Sequence, residues 1–363
     1  MINAAAFRDP EVARQFLQRI RAAVCDASEP ITLMEVCGTH TMAIHQHGIR
    51  ALLPEQVRLV SGPGCPVCVT PIGYMDHAIA LSRQPDTIVT TFGDMMRVPG
   101  SGSSLQEEKA RGRGIRIVYS PLDAVALAQD NPQQQVIFLG VGFETTTPTV
   151  AGAILQAQQR QSDNFSVLCA HKTMPAPMEA LTADPELQVD GYICPAHVSA
   201  IIGADAYRPL AEQYGVACVV TGFEPLDLLQ GVEMLVRQIV AGEARVENQY
   251  RRFVTADGNR KARQMIDQVF EPCDTDWRGL GTLPDSGLRI RAGFAAFDAA
   301  RRFDVAIEET QEPAGCRCGD ILKGKLSPRD CPLFGTICTP ETPVGACMVS
   351  SEGTCAAEHK YGT

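Results

Sequence analysis

Val57-Arg58-Leu59-Val60-Ser61-Gly62-Pro63-Gly64-Cys65-Pro66-Val67-Cys68 decides how the rest of the chain is read. Val57 to Val60 is an apolar run of the kind that forms a buried strand. The glycines and prolines after it force an abrupt, open turn that carries two cysteines. Their thiols are expected to be presented rather than packed. In a Cys-x-x-Cys spacing two sulfurs can reach one another or one metal, and neighbouring backbone N–H groups can lower a thiol pKa. That is the chemistry of a disulfide switch or a soft-metal site. The plain alternative is a turn that only connects two elements.

Working outward, the same pattern recurs. Ile31 to Val36 reads as a strand ending in Cys37-Gly38-Thr39-His40-Thr41, and strand-like runs follow at Thr87 to Thr91, Arg116 to Tyr119, Gln135 to Val141, Ser166 to Cys169, Gly191 to Ile193 and Val216 to Val220. Helical patterns separate most of them, at Pro121 to Asp130, Pro148 to Gln158 and Pro225 to Val240, with one more amphipathic helix from Pro10 to about Cys25. Strand then helix, repeated, predicts parallel α/β sheet. The unusual residues fall just after the strands, where open parallel sheets bind ligands: Cys37, Cys65, Asp94, Glu144, Cys169, His171, Cys194, His197 and Glu224. Gly142-Phe143-Glu144 recurs as Gly222-Phe223-Glu224, and Val36 to Thr41 resembles Leu168 to Thr173, so two related α/β lobes facing across a cleft are expected.

Length and composition narrow the function. At 363 residues the chain exceeds the usual size of one core. A net charge of −10, with no basic aromatic stripe, argues against nucleic-acid binding. No apolar run has the length of a membrane span, and the opening residues lack an export signal, so a soluble cytoplasmic protein is expected. Fourteen cysteines in a reducing compartment point to metal ligation and redox work rather than structural disulfides. There is no phosphate-binding loop, no dinucleotide fingerprint and no nucleophile-elbow serine.

Beyond Ala241 the pattern changes to a charged helix running through Arg251 and Phe270, a Gly-rich segment near Gly279 to Gly287, and a tail holding Cys316, Cys318, Cys331, Cys338, Cys347 and Cys355. Such a tail has little apolar mass, so a metal or cluster is expected to supply much of its order. Thiolate-only ligation at irregular spacing suits a 4Fe-4S cluster better than paired zinc knuckles, though soft thiolates alone serve both. Cys37 with His40 reads as a thiolate that ligates or attacks, supported by the imidazole, against the alternative of a buried structural cysteine. Glu144 and Glu224 are acid/base candidates or helix caps. His45 and His47 are expected to face solvent, and Cys25, Cys218 and Cys273 to be packing residues.

The motifs Cys37 to Thr41, Gly62 to Cys68, Gly142 to Thr146, Pro195 to Gly203, Gly222 to Asp227 and the tail from Cys316 to Cys355 closely resemble the HypD family of hydrogenase maturation factors. The resemblance spans most of the chain. It implies a scaffold for the Fe(CN)2CO part of the nickel-iron hydrogenase site, working with the small chaperone HypC and the cyanide donor HypE. It further implies that Cys37 binds the iron, that Cys65 and Cys68 are a redox-active pair, and that a 4Fe-4S cluster occupies a third domain. For that cluster Cys318, Cys331, Cys338 and Cys355 are chosen, with Cys316 and Cys347 as substitutes. The expected units are lobes 29–145 and 146–242, and a mostly helical or irregular iron-sulfur domain from 1–28 and 243–363. Electrons are expected to run from the cluster to Cys65 and Cys68, and on to iron at Cys37. Two other classes use the same residues: a cluster-dependent thiol-disulfide reductase, and a zinc-stabilised interaction protein.

Overall fold

Apolar, β-branched runs covered on both faces pair in parallel, and here they do so twice. The computed structural model describes residues 7–25, 27, 29–307 and 309–362. Met1 to Ala6, part of the stretch read as lacking an export signal, lies outside them. In chain order the strands are β1 (Ile31–Glu35), β2 (Val57–Ser61), β3 (Thr87–Thr91), β4 (Gly114–Ile117), β5 (Gln135–Gly142), β6 (Phe165–His171), β7 (Gly191–Pro195), β8 (Ala217–Thr221), β9 (Val246–Asn248), β10 (Phe270–Trp277) and β11 (Gly281–Ile290). One sheet has the order β2-β1-β7-β8-β9 and the other β4-β3-β5-β6, both wholly parallel, while β10 and β11 form an antiparallel hairpin.

Two parallel-sheet lobes are therefore present, but they do not divide at residue 145. The first sheet takes strands from 31–61 and again from 191–248, and the second takes all of its strands from 87–171. Lobe two is inserted into lobe one. The physical reason is register: Leu33 on β1 lies beside Gly191 on β7, a pairing with no local signature.

Helices seal the outer faces. Pro10–Ala23 begins at Asp9, whose carboxylate accepts the Glu11 N–H, and lays Leu17 and Ile20 against Pro225–Val240 over the first sheet. Thr147–Gln159 and Arg260–Val269 cover the second, with Val150, Ile154 and Ile266 in the core. The inner faces share one core, which brings Met34, Val60 and Tyr192 of the first sheet together with Val89, Ile137 and Leu139 of the second. Tail residues Ile321, Leu322, Met348 and Val349 join the same core, so burial against both lobes orders the tail as well.

The stretch after Ala241 departs from expectation. The charged helix is confined to Arg260–Val269, and the segment through Gly287 is hairpin rather than irregular. Alternate burial along Phe270–Trp277 marks a strand with one face inward, a pattern that Glu271, Asp274 and Asp276 obscure in the sequence.

One backbone approach aligns the two lobe-one loops. Gly64 lies so close to the other loop that a β-carbon there would overlap the Cys37 nitrogen and the Val36 carbonyl carbon. Replacing Gly64 by Ala is expected to destabilise the fold by about 2 kcal/mol or more, because backbone has to give way. Urea unfolding of Gly64→Ala against the parent protein checks this, and an unchanged midpoint would show that the approach is dispensable.

Candidate functional site

Adjacent strands deliver the first two thiol groups side by side. Just beyond the end of β1, Cys37 has extended backbone (φ −147°, ψ 125°) and holds the N-cap position of the helix Gly38–Gln46 without a side-chain capping hydrogen bond, and the Thr39 and His40 amides favour its thiolate form. After β2 the chain turns through Gly62 and Gly64 to Cys65, which caps one helical turn, Pro66–Val69, and whose Sγ accepts the Cys68 N–H at 3.3 Å. Gly38 N–H donates to the Gly64 carbonyl at 3.0 Å and Gly62 N–H to the Glu35 carbonyl at 2.8 Å. The two loops are thus one unit.

These thiols are not open to solvent, contrary to the expectation of a presented pair. Cys37, Cys65 and Cys68 are 8%, 3% and 0% exposed. The tail covers them: Cys68 Sγ reaches the Ala346 carbonyl at 3.9 Å, Thr39 donates to Glu352 at 2.8 Å, and Ser350 donates to Asp94 at 3.1 Å. Burial, followed by the Glu352 charge, pushes the Cys37 thiol up to about 12, and the Thr39 and His40 amides oppose that shift only in part. Burial also drives Cys68 upward. Without a positive partner, Cys37 is a neutral thiol.

His40 supports Cys37 differently than expected. Its ring does not reach the sulfur: Nε2 donates to the Thr221 and Gly222 carbonyls at 2.9 and 3.1 Å, and the ring packs on Phe223, which in turn packs on His197. Burial lowers its pKa to about 4, so the imidazole is neutral. It ties the Cys37 helix to the end of β8, and its contribution to the sulfur is its backbone amide. His197 is exposed and Asp94 lies at the tail contact. Glu224 caps Pro225–Val240, as one reading expected. Glu144 does not cap the helix that follows it. Its Oε1 accepts the Met174 N–H at 2.9 Å, while Oε2 is buried without a partner and desolvation raises the carboxyl to about 7.

The tail forms the second centre. Cys316, Cys318, Cys331, Cys338, Cys347 and Cys355 line one small apolar pocket together with Ile321, Leu333, Phe334 and Met348. The four chosen ligands are there, and so are both substitutes. No carboxylate or imidazole joins the lining, a donor set that fits a thiolate-held cluster. Among the described residues no three His, Cys, Asp or Glu side chains form a ready site for a single metal ion. The two centres adjoin: Cys68 Sγ reaches the carbonyl of Ala346, the residue before Cys347, at 3.9 Å, and Cys65, Cys68, Cys318, Cys347 and Cys355 belong to one buried core.

Other expectations fail for stated reasons. His45 is buried, not solvent-facing. Its Nδ1 donates to the Thr41 carbonyl at 2.7 Å, and its Nε2 accepts from Arg50 at 3.1 Å and lies 3.2 Å from Glu358 in the terminal helix Thr354–Tyr361. Positions 37, 41 and 45 are four apart and share a helix face, a signal present in the sequence. Cys25 is exposed rather than packed, Cys218 is buried as expected, and Cys273 is half-buried.

Fold and site together define a two-lobed α/β protein with buried cysteine thiols gathered at the strand ends and in the tail. The family model described as "Hydrogenase formation hypA family", short name HypD, matches residues 11–362. The chain is 54% identical to hydrogenase maturation factor HypD of Azotobacter vinelandii, over 98% of this chain and 96% of that one. It is 50% identical to the HypD of Cupriavidus necator and 47% identical to that of Escherichia coli, each over 98% of this chain and 96% of the relative. The chain belongs to the HypD family, and its role lies in hydrogenase maturation. No helix among the described residues is long and apolar enough to cross a membrane.

The unpartnered Glu144 oxygen has a measurable effect. Because its folded pKa is raised to about 7, its contribution to stability is full below the ordinary carboxylate range and is lost as pH rises through 7. Between pH 5 and pH 8 Glu144→Gln is expected to gain on the parent protein by on the order of 3 kcal/mol. Urea midpoints of both proteins at the two pH values check this, and parallel pH profiles would show that Glu144 titrates as an ordinary carboxylate.

Proposed function

We propose that this protein is the scaffold on which the Fe(CN)2CO unit of a nickel-iron hydrogenase is assembled, with Cys37 as the thiolate that holds the iron. The observation that carries this reading is that the two thiol centres adjoin: Cys68, whose N–H donates to Cys65 Sγ, reaches the Ala346 carbonyl next to Cys347, which lines the six-cysteine pocket. Cys37 suits an iron cargo because a thiol pushed to about 12 ionises only when a cation compensates it, so loading iron releases one proton. The Thr39 and His40 amides favour the charge that forms.

Cys65 and Cys68 supply electrons. Freeing cyanide from a thiocyanate-like donor, R–S–C≡N, breaks the S–C bond and consumes two electrons, the sulfur leaving as thiolate and the carbon as iron-bound cyanide. Closing the Cys65/Cys68 dithiol to a disulfide gives up two electrons and two protons, which balances that step. Cys318, Cys331, Cys338 and Cys355, with Cys316 and Cys347 on the same wall, would hold a 4Fe-4S cluster. Such a cluster supplies electrons one at a time. A HypC-type chaperone sharing the iron through its own cysteine, and a HypE-type cyanide donor, are the partners this chemistry calls for. All fourteen cysteines are free, which suits a reducing cytoplasm.

The test is anaerobic purification with and without the small chaperone, followed by iron, sulfide and zinc analysis and an infrared spectrum of the metal-bound CN and CO stretches. Diatomic bands on the complex that vanish in Cys37→Ala, with iron and sulfide of the cluster retained, are expected. A cluster-bearing protein that never shows those bands and reduces generic disulfides without partners would instead be a thiol-disulfide reductase. For the dithiol, the double variant Cys65→Ala/Cys68→Ala is expected to lose cyanide transfer almost completely, and a parental rate in that variant would refute its electron role.

A further inference from the structure

Arg278 stands in the turn between β10 and β11, and it is buried in an unusual place. Its side chain is 3% exposed, while the carboxylate nearest to it, Glu312, is 3.7 Å away and 64% exposed. The Arg278 amide donates to the Val69 carbonyl at 2.9 Å, and its Nε and Nη2 both donate to the Thr70 carbonyl, at 3.1 and 2.9 Å. The guanidinium therefore grips the end of the helical turn that carries Cys68. On its other side Gly279, in the left-handed region at φ +83°, packs directly on Gly319, the neighbour of Cys318. Arg278 thus sits where the dithiol turn meets the tail segment that carries Cys318.

A guanidinium cannot shed its proton, so burying one calls for a nearby negative charge. Glu312 supplies little, because an exposed carboxylate at that separation is screened by water. Carbonyl dipoles alone leave the cation under-compensated. A 4Fe-4S core held by four thiolates carries net negative charge in both of its redox states, and the charge around a cluster helps to set its potential.

We propose that Arg278 is the built-in counter-charge of the thiolate-held group in the tail pocket, a positioning residue that raises the reduction potential of that group while it clamps the Cys68 turn. This rests on the cluster reading above. Two variants separate charge from clamp. Arg278→Gln keeps an amide donor for Thr70 and removes the charge, whereas Arg278→Lys keeps the charge and loses the fork that grips one carbonyl twice.

The experiment is an anaerobic redox titration of the cluster-loaded full chain, followed by electron paramagnetic resonance, for the parent protein and both variants. Arg278→Gln is expected to be at least tenfold harder to reduce, a one-electron shift of about 59 mV to lower potential. Arg278→Lys is expected to stay near the parent value. Equal potentials in all three proteins would overturn the proposal and leave Arg278 a clamp. If Arg278→Gln cannot retain a cluster, the lysine variant decides: a cluster kept at the parental potential supports the charge, and cluster loss in both variants assigns the residue to the clamp alone. Failure of the cluster reading itself is distinguishable, because parent protein without iron and sulfide would refute it before any variant is made.

Discussion

The Gly38 to Gly64 hydrogen bond is the contact on which the thiol arrangement depends. It locks the loop after β1 to the loop after β2, and these strands are neighbours in the sheet, so Cys37 and Cys65 are adjacent by construction rather than by side-chain choice. Backbone can approach backbone this closely only because position 64 has no β-carbon. Once the loops are joined, Cys68 is aimed at the tail, and the tail completes the site from above. A parallel sheet ordinarily offers its strand ends to solvent. Here another part of the same chain occupies that edge.

Burial then governs the chemistry. Taking a thiol out of water disfavours its charged form, so Cys37 and Cys68 are held as neutral thiols. The Glu352 carboxylate beside Cys37 reinforces the same restraint. Such sulfurs are protected from idle oxidation, because the thiolate is the species that oxidises. Thr39 donates to Glu352 and Ser350 to Asp94, so two hydrogen bonds to carboxylates, each worth roughly 1.5–3 kcal/mol, hold the tail over Cys37.

Local patterns in the sequence were sufficient for most of the elements and for where the cysteines fall on them. Thr87 to Thr91, Pro121 to Asp130 and Pro225 to Val240 are bounded by β-branched runs, prolines and caps, and they appear where those signals stand. The cysteines at strand ends and the tail cysteines that share a pocket were legible for the same reason: residue type and spacing are local facts. What escaped reading is non-local. The interleaving of the lobes depends on β1 meeting β7, and the closure of the thiol site depends on tail residues about 280 positions beyond Cys68. The four-residue spacing of positions 37, 41 and 45 marked His45 as inward, but its ion-pair partner Glu358 becomes a neighbour only when the terminal helix packs on Gly38–Gln46. The hairpin of β10 and β11 was hidden by acidic residues on its outward face, although its inward positions alternate.

Inserting one lobe into the other imposes an order on synthesis. Gly191, the partner of Leu33, emerges 158 positions later (191 minus 33), a wait of roughly 8 to 32 s at about 5–20 residues per second. Until then β1 and β2 can form no more than a two-stranded piece with an open edge, the kind of edge that pairs with other chains. The inserted lobe has all of its strands within 87–171 and can pair them while the ribosome is still making β7, with its cover helix Arg260–Val269 added later. The thiols of Cys37, Cys65 and Cys68 are among the first cysteines made and among the last to be enclosed, so a nascent chain carries them uncovered for longer than any other part of the site.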